Sequence, residues 1–117
     1  MKLSELTEIK RVLKNRARFW EGRIGGIPQS GLLTVNTRDT TNYLHSWTSE
    51  SGRQSGAHYK LVWEEILKSK SEGIKFFDFE GIYDSRWPQK RWLGFTQFKK
   101  KFGGKEITLP GCFFRWL

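Results

Sequence analysis

The stretch Ala57-His58-Tyr59-Lys60-Leu61-Val62-Trp63-Glu64-Glu65-Ile66-Leu67-Lys68-Ser69-Lys70-Ser71-Glu72-Gly73-Ile74-Lys75-Phe76-Phe77-Asp78-Phe79-Glu80 decides the fold. In its first part Tyr59, Val62, Trp63, Ile66 and Leu67 recur at three- and four-residue spacing, which predicts a helix with one apolar stripe. Lys68 and Lys70 close the last turn and Gly73 supplies a stop. Over 75–80 the period becomes two, as in a strand, with Phe77 and Phe79 on one face and Phe76 and Asp78 on the other.

Upstream, residues 30–36 and 41–47 read as strands joined through Thr37-Arg38-Asp39 in a hairpin, and the polar segment 48–56 reads as a loop. The order strand, helix, strand is a crossover unit. Farther out, Leu6, Ile9, Leu13, Ala17 and Trp20 fall at helical spacing, so a helix is expected over 3–20 with Ser4 as its N-cap. Residues 21–31 hold four glycines and Pro28 and read as a turn or loop, with a short strand near Arg23-Ile24. Downstream come a loop with Trp87-Pro88, a short helix over 95–102 ended by Gly103-Gly104, and one or two terminal strands. The fold class is α/β (α+β), a layer domain of sheet and helices.

A chain of 117 residues and 13.8 kDa fits one small domain. Its 15% aromatic content can build a core, which argues against a disordered polycation. No apolar run approaches the roughly 18–20 residues of a membrane span, and no signal segment opens the chain. The lone Cys112 excludes an internal disulfide and a Cys-rich zinc site; it reads as a buried thiol in a reducing cytoplasm. With only His45 and His58 beside it, no metal site is expected.

The formal net charge of +9 is concentrated. Residues 86–105 carry seven basic and no acidic groups, interleaved with Trp87, Trp92, Phe95, Phe98 and Phe102. Basic groups among aromatics suit a phosphate-bearing partner, although a solvated amphipathic helix has the same composition. No hydrolase triad and no Walker loop is present. Gly52-Arg53-Gln54-Ser55-Gly56-Ala57 precedes a helix, and such a loop presents backbone N–H groups either to an anion or to plain capping.

Three stretches together resemble a known family: Gly52-Arg53 with Trp63-Glu64; Phe77-Asp78-Phe79-Glu80-Gly81-Ile82-Tyr83-Asp84; and Gly94-Phe95-Thr96-Gln97-Phe98-Lys99-Lys100-Lys101-Phe102-Gly103-Gly104. In that order and spacing they look like the C-terminal part of FemABX-type peptidyltransferases, tRNA-dependent aminoacyltransferases that extend the peptidoglycan stem peptide. The resemblance covers residues 18–117. It implies a GNAT-like fold, a mixed and largely antiparallel sheet flanked by helices. It further implies that residues 1–117 are one partial domain, lacking the first strand and helix, with a second chain or copy completing the fold. Two departures stand out: Ser46-Trp47-Thr48 replaces a Gly-Gly-Ser stretch, and the loop over 22–31 looks enlarged.

The implied partners are an aminoacyl-tRNA and a nucleotide-linked or lipid-linked peptidoglycan precursor, in the cytoplasm or at the inner membrane surface. An activated ester meeting an amine needs no protein nucleophile and no cofactor; positioning and charge stabilisation suffice. Lys99 matches the lysine the family uses to stabilise negative charge, with Phe98 shaping the site beside it. Arg53, Arg91, Lys100, Lys101 and Lys105 are second-rank candidates for tRNA backbone or pyrophosphate, each also readable as surface charge. Trp92 offers a stacking platform or a half-buried anchor, and Asp78 and Glu80 offer a base or a structural acid. Two other functions fit the same residues: an acyl-CoA-dependent N-acyltransferase with 52–57 holding the pyrophosphate, and a non-catalytic tRNA- or RNA-binding module.

Overall fold

The computed structural model describes residues 2–109, which divide between Glu80 and Gly81 into two compact units. The first holds α1 (Leu3–Leu13), β1 (Ala17–Ile24), β2 (Ile27–Thr37), β3 (Thr40–Thr48), α2 (Glu50–Ser55), α3 (Ala57–Ser71) and β4 (Phe76–Asp78). The second holds α4 (Leu93–Lys100), preceded by a single 3-10 turn at Lys90–Trp92. The sheet order is β1-β2-β3-β4. β1, β2 and β3 are antiparallel neighbours, and β4 lies parallel to β3 after the α3 crossover. This is the mixed α/β architecture expected.

Two tight turns make the meander. Gly25 and Gly26 both have positive φ (57° and 78°), the conformation a two-residue hairpin turn requires, and Ile24 pairs with Ile27 across them. Arg38-Asp39 forms the second turn, with Thr37 opposite Thr40. The Asp39 carbonyl then accepts N–H bonds from Lys75 and Phe76 at 3.0 Å each, which seats the start of β4 beside β3.

Several boundaries differ from the sequence reading, each for a physical reason. The first helix stops at Leu13, where Lys14 takes a positive φ of 50°, and residues 17–20 are strand instead. Arg18 and Trp20 are both on the face toward α3, an alternation of two that coincided with helical spacing. Its N-cap is Lys2 rather than Ser4, with the Glu5 carboxylate accepting from the Lys2 N–H at 2.8 Å. The expected turn or loop over 21–31, with the enlarged loop over 22–31 inside it, is the end of β1, the glycine turn and the start of β2. Gly31 within β2 leaves room for the Trp47 indole; a Cβ there would stand 2.2 Å from Trp47 Nε1. Segment 48–56 contains α2 rather than loop alone, capped by Ser49, whose Oγ accepts from the Gly52 N–H at 2.9 Å. Residues 105–109 form no strand, and the remainder of the expected terminal strands, with Cys112, lies outside the described residues.

The largest correction concerns which face of α3 is inside. The buried residues are His58, Leu61, Val62, Glu65 and Ser69; of the expected stripe Val62 is buried and Tyr59 and Ile66 are half-buried, while Trp63 and Leu67 are 51% and 43% exposed. The helix therefore meets the sheet through polar groups as well as apolar ones. Glu65 is fully buried and its carboxylate accepts from Thr34 Oγ1 (2.7 Å), Trp20 Nε1 (2.6 Å) and the Arg18 guanidinium (3.0 Å). Arg18 also donates to Ser69 Oγ at 3.1 Å and pairs with Glu72. Ser69 and Thr41 share a 2.8 Å hydroxyl contact, and Thr41 donates to Asn36 Oδ1. About two turns from Glu65 toward the N-terminus, His58 bridges Ser30 Oγ (2.6 Å, from Nδ1) and the Tyr43 hydroxyl (2.7 Å, from Nε2). No buried side-chain polar atom among the described residues lacks a partner. A charge taken from water is tolerated only when so satisfied.

Two predictions come from this layer. Glu65→Ala leaves the Arg18, Trp20 and Thr34 donors without their shared acceptor, so unfolding in urea should show a loss of about 3–5 kcal/mol. A loss below about 1 kcal/mol would mean the cluster is incidental. Burial lowers the His58 imidazole from 6.5 to about 4. The unfolded chain then binds the proton first, so stability is intact above the ordinary pKa and declines as pH falls from about 6.5 toward about 4. His58→Gln should flatten that decline in urea midpoints recorded across the window; an unchanged slope would assign it to other groups.

Candidate functional site

In the second unit, α4 builds one face from Trp92, just before its first residue, and from Phe95, Thr96 and Lys99. Spacings of three and four residues bring these side chains into line. Trp92 and Phe95 have ring centroids 5.4 Å apart, and Lys99 Nζ lies 4.7 Å over the Phe95 ring. The same ammonium donates to the Gly81 carbonyl at 2.8 Å. Gly81 itself lies against Trp92: a Cβ on Gly81 would come within 3.2 Å of the indole, so the missing side chain is what permits the approach. Thr96 Oγ1 donates to the Trp92 carbonyl (2.6 Å) and accepts from the Tyr83 N–H (2.7 Å). The segment 81–83 is thus strapped to the helix at two points, and Lys99 is held rather than trailing in solvent.

The other basic candidates in this unit differ in character. Lys100 pairs with Glu106 at 3.0 Å on an exposed surface, and Arg91 donates to its neighbour Gln89 at 3.1 and 3.3 Å. Arg86 binds Asp84, and its hydrogen bonds hold that carboxyl below the usual carboxylate range. Lys101 and Lys105 are exposed. Phe98 packs against Phe102 with centroids 5.3 Å apart, half-buried beside Lys99 in sequence. Trp92 is half-buried, an anchor for Gly81 and Phe95.

In the first unit, Arg53 is exposed in the last turn of α2. The N–H of Gly52 is committed to Ser49 Oγ, which is the plain capping alternative for segment 52–57. Asp78 Oδ1 accepts from the Glu80 N–H at 2.7 Å, fixing the bend after β4 where Glu80 has φ 64°. That is a structural use of the acid. A groove of about 550 Å³ lined by Leu3, Leu6, Thr7, Lys10, Arg11 and Phe19 is mostly apolar, and its Lys10 ammonium is turned onto the Lys14 and Ala17 carbonyls. Among the described residues no group of His, Cys, Asp or Glu is arranged to hold a metal.

Sequence reasoning missed Thr96, Gly81 and the polar face of α3. The signal for Thr96 was its place three residues before Lys99, on the same helical face. Glu65 and His58 gave no such signal, because only packing reveals that their polar atoms are enclosed.

Comparison with known proteins agrees with this architecture. The model of the FemAB family matches residues 2–115. No curated protein matches the chain. Among solved structures, the aminoglycoside N-acetyltransferase AAC(6')-Iy in complex with CoA superposes with a TM-score of 0.65 at 13% identity, covering 97% of this chain and 87% of that one. An aminoglycoside 6'-N-acetyltransferase from Acinetobacter baumannii gives 0.66 at 12% identity, covering 100% and 82%. A ribosomal-protein-alanine N-acetyltransferase from Brucella melitensis gives 0.64 at 9% identity, covering 94% and 79%. At such identities the likeness is one of fold, and the fold is that of the GNAT acetyltransferases.

Proposed function

The chain belongs to the FemAB family, and we propose that it transfers an amino acid from aminoacyl-tRNA to the stem peptide of a peptidoglycan precursor. Family and fold together support transfer of an acyl group. The observation that carries the finer reading is the Lys99 ammonium, fixed 2.8 Å from the Gly81 carbonyl and 4.7 Å above Phe95. The amine of the stem peptide attacks the ester carbonyl of the charged tRNA; the C–N bond forms, the C–O bond to the ribose breaks, and the amine proton leaves with the departing hydroxyl. Negative charge gathers on the carbonyl oxygen between these events. A cation already in place stabilises that charge without reorganising at the moment of reaction. Phe98, its neighbour in sequence, packs on Phe102, and Arg91, Lys100, Lys101, Lys105 and Arg53 are the basic groups proposed for tRNA phosphates or a precursor pyrophosphate. Asp78 is assigned to the bend after β4 rather than to proton transfer, and Glu80 accompanies it there. The proposed setting is the cytoplasm, at or near the inner membrane surface; no helix among the described residues is long and apolar enough to cross a membrane.

A second reading, CoA-dependent N-acyl transfer, is supported by the CoA complexes among the structural neighbours. It needs free backbone N–H groups for a pyrophosphate, and the Gly52 N–H is already used.

Lys99→Ala should lower kcat for transfer of labelled amino acid from charged tRNA about 10²-fold or more, with a smaller effect on the precursor KM. A full transfer rate in that variant would remove the assignment. Calorimetry with millimolar CoA should show no saturable heat, and saturable binding would favour the second reading. Binding of tRNA should weaken with a steep log–log salt slope; steep binding without any transfer would reduce the chain to an RNA-binding module.

A further inference from the structure

We propose that Thr96 is the positioning residue for Lys99, an inference that rests on reading Lys99 as the group that stabilises charge in acyl transfer. Thr96 is the buried residue of α4, 6% exposed, and its hydroxyl is used twice. It donates to the Trp92 carbonyl one turn back, at 2.6 Å, and accepts from the Tyr83 N–H at 2.7 Å. A hydroxyl with one proton and two lone pairs does both, and no apolar residue of the same shape does either. The back-bond to Trp92 uses the proton and so orients the two lone pairs, one of which faces the Tyr83 N–H. That lone pair holds Tyr83, and two residues earlier in the same strap the Gly81 carbonyl meets Lys99.

The two anchors are unequal. Lys99 reaches Gly81 on a flexible four-carbon stem that is only half-buried. Thr96 is short, buried and has one rotatable bond to its hydroxyl-bearing carbon, so it sets where the strap lies. Lys99 then finds its acceptor already in place. Removing the Thr96 hydroxyl leaves the Tyr83 N–H without this partner and lets the 81–83 strap drift, and with it the carbonyl to which the Lys99 ammonium donates. A displacement near 1 Å is enough to cost on the order of 10²-fold in rate at a preorganised site.

The test uses the whole chain with Thr96→Val, Thr96→Ser, Lys99→Ala and the Thr96→Val/Lys99→Ala double variant. In the wild type the Phe95 ring, its centroid 4.7 Å from Lys99 Nζ, should shift the NMR resonance of the Lys99 ε-methylene away from those of solvated lysines. Thr96→Val should move that resonance toward them and speed exchange of the Tyr83 amide, while Thr96→Ser keeps both signals. In the labelled-transfer assay, Thr96→Val should lower kcat about tenfold to 100-fold with the precursor KM unchanged. The loss should be absent in the Lys99→Ala background, since a residue acting through Lys99 has nothing left to position. Thr96→Ala repeats these measurements should the valine variant fail to fold. An unshifted Lys99 resonance in a folded Thr96→Val protein overturns the proposal, as does an equal kcat loss with and without Lys99. If Lys99→Ala is slow while Thr96→Val runs at the wild-type rate, the positioning role alone fails. If Lys99→Ala transfers at full rate, the charge-stabilising reading fails and the positioning role with it.

Discussion

The burial of one carboxylate organises the first unit. Glu65 sits at the middle of α3 with no exposed surface, and its acceptors draw donors from two strands: Arg18 and Trp20 on β1, Thr34 on β2. Each bond is directional, so the helix has one position over the sheet in which all are made. An apolar seam of Val62, Leu61 and Leu32 supplies the non-directional part of the packing, and such packing alone tolerates sliding. Arg18 extends the constraint along the helix to Ser69 and Glu72, and His58 fixes the opposite end against Ser30 on β2 and Tyr43 on β3. The helix is thus pinned at its start, middle and end to the three antiparallel strands.

The second unit uses charge differently. Residues 86–105 carry only basic ionisable side chains, yet two are paired with acids near by: Arg86 with Asp84 and Lys100 with Glu106. Exposed pairs of this kind contribute little to stability and leave the cations available to a polyanion. Lys99 is held by a main-chain carbonyl and an aromatic face, which fix the position of its ammonium. A cation fixed in this way is what the proposed meeting with a transient oxyanion requires.

The crossover was legible because two local signals agreed: the helical period through Ile66 and the alternation of Phe76 to Phe79, with Gly73 between them. The hairpin at Arg38-Asp39 was legible for the same reason. Three features were not. Ala17 and Trp20 continue the spacing set by Leu13, so a strand looked like the end of a helix, and only the demand of Glu65 for Trp20 and Arg18 decides the matter. Glycines at 22, 25, 26 and 31 look like a loop in composition, although two of them make a turn and two lie within strands. Apolar residues alone do not mark the inner face of α3: Trp63 and Leu67 face outward, while Glu65 and Ser69 face inward with Val62. At the candidate site, motif position singles out Lys99 and Phe98 for the proposed role, and nothing local marks the strap whose Gly81 carbonyl meets Lys99.

The parallel pairing of β3 with β4 has a consequence for the order of assembly. β1, β2 and β3 are joined by two-residue turns, so their pairing closes short loops at small entropic cost. β4 contributes three paired residues and reaches its place only after α2 and α3 have been laid down between it and β3. So few ladder bonds do not repay the closure of so long an excursion on their own. The meander therefore forms the template, the helix docks as Glu65 collects its donors, and the last strand is added to a surface already built.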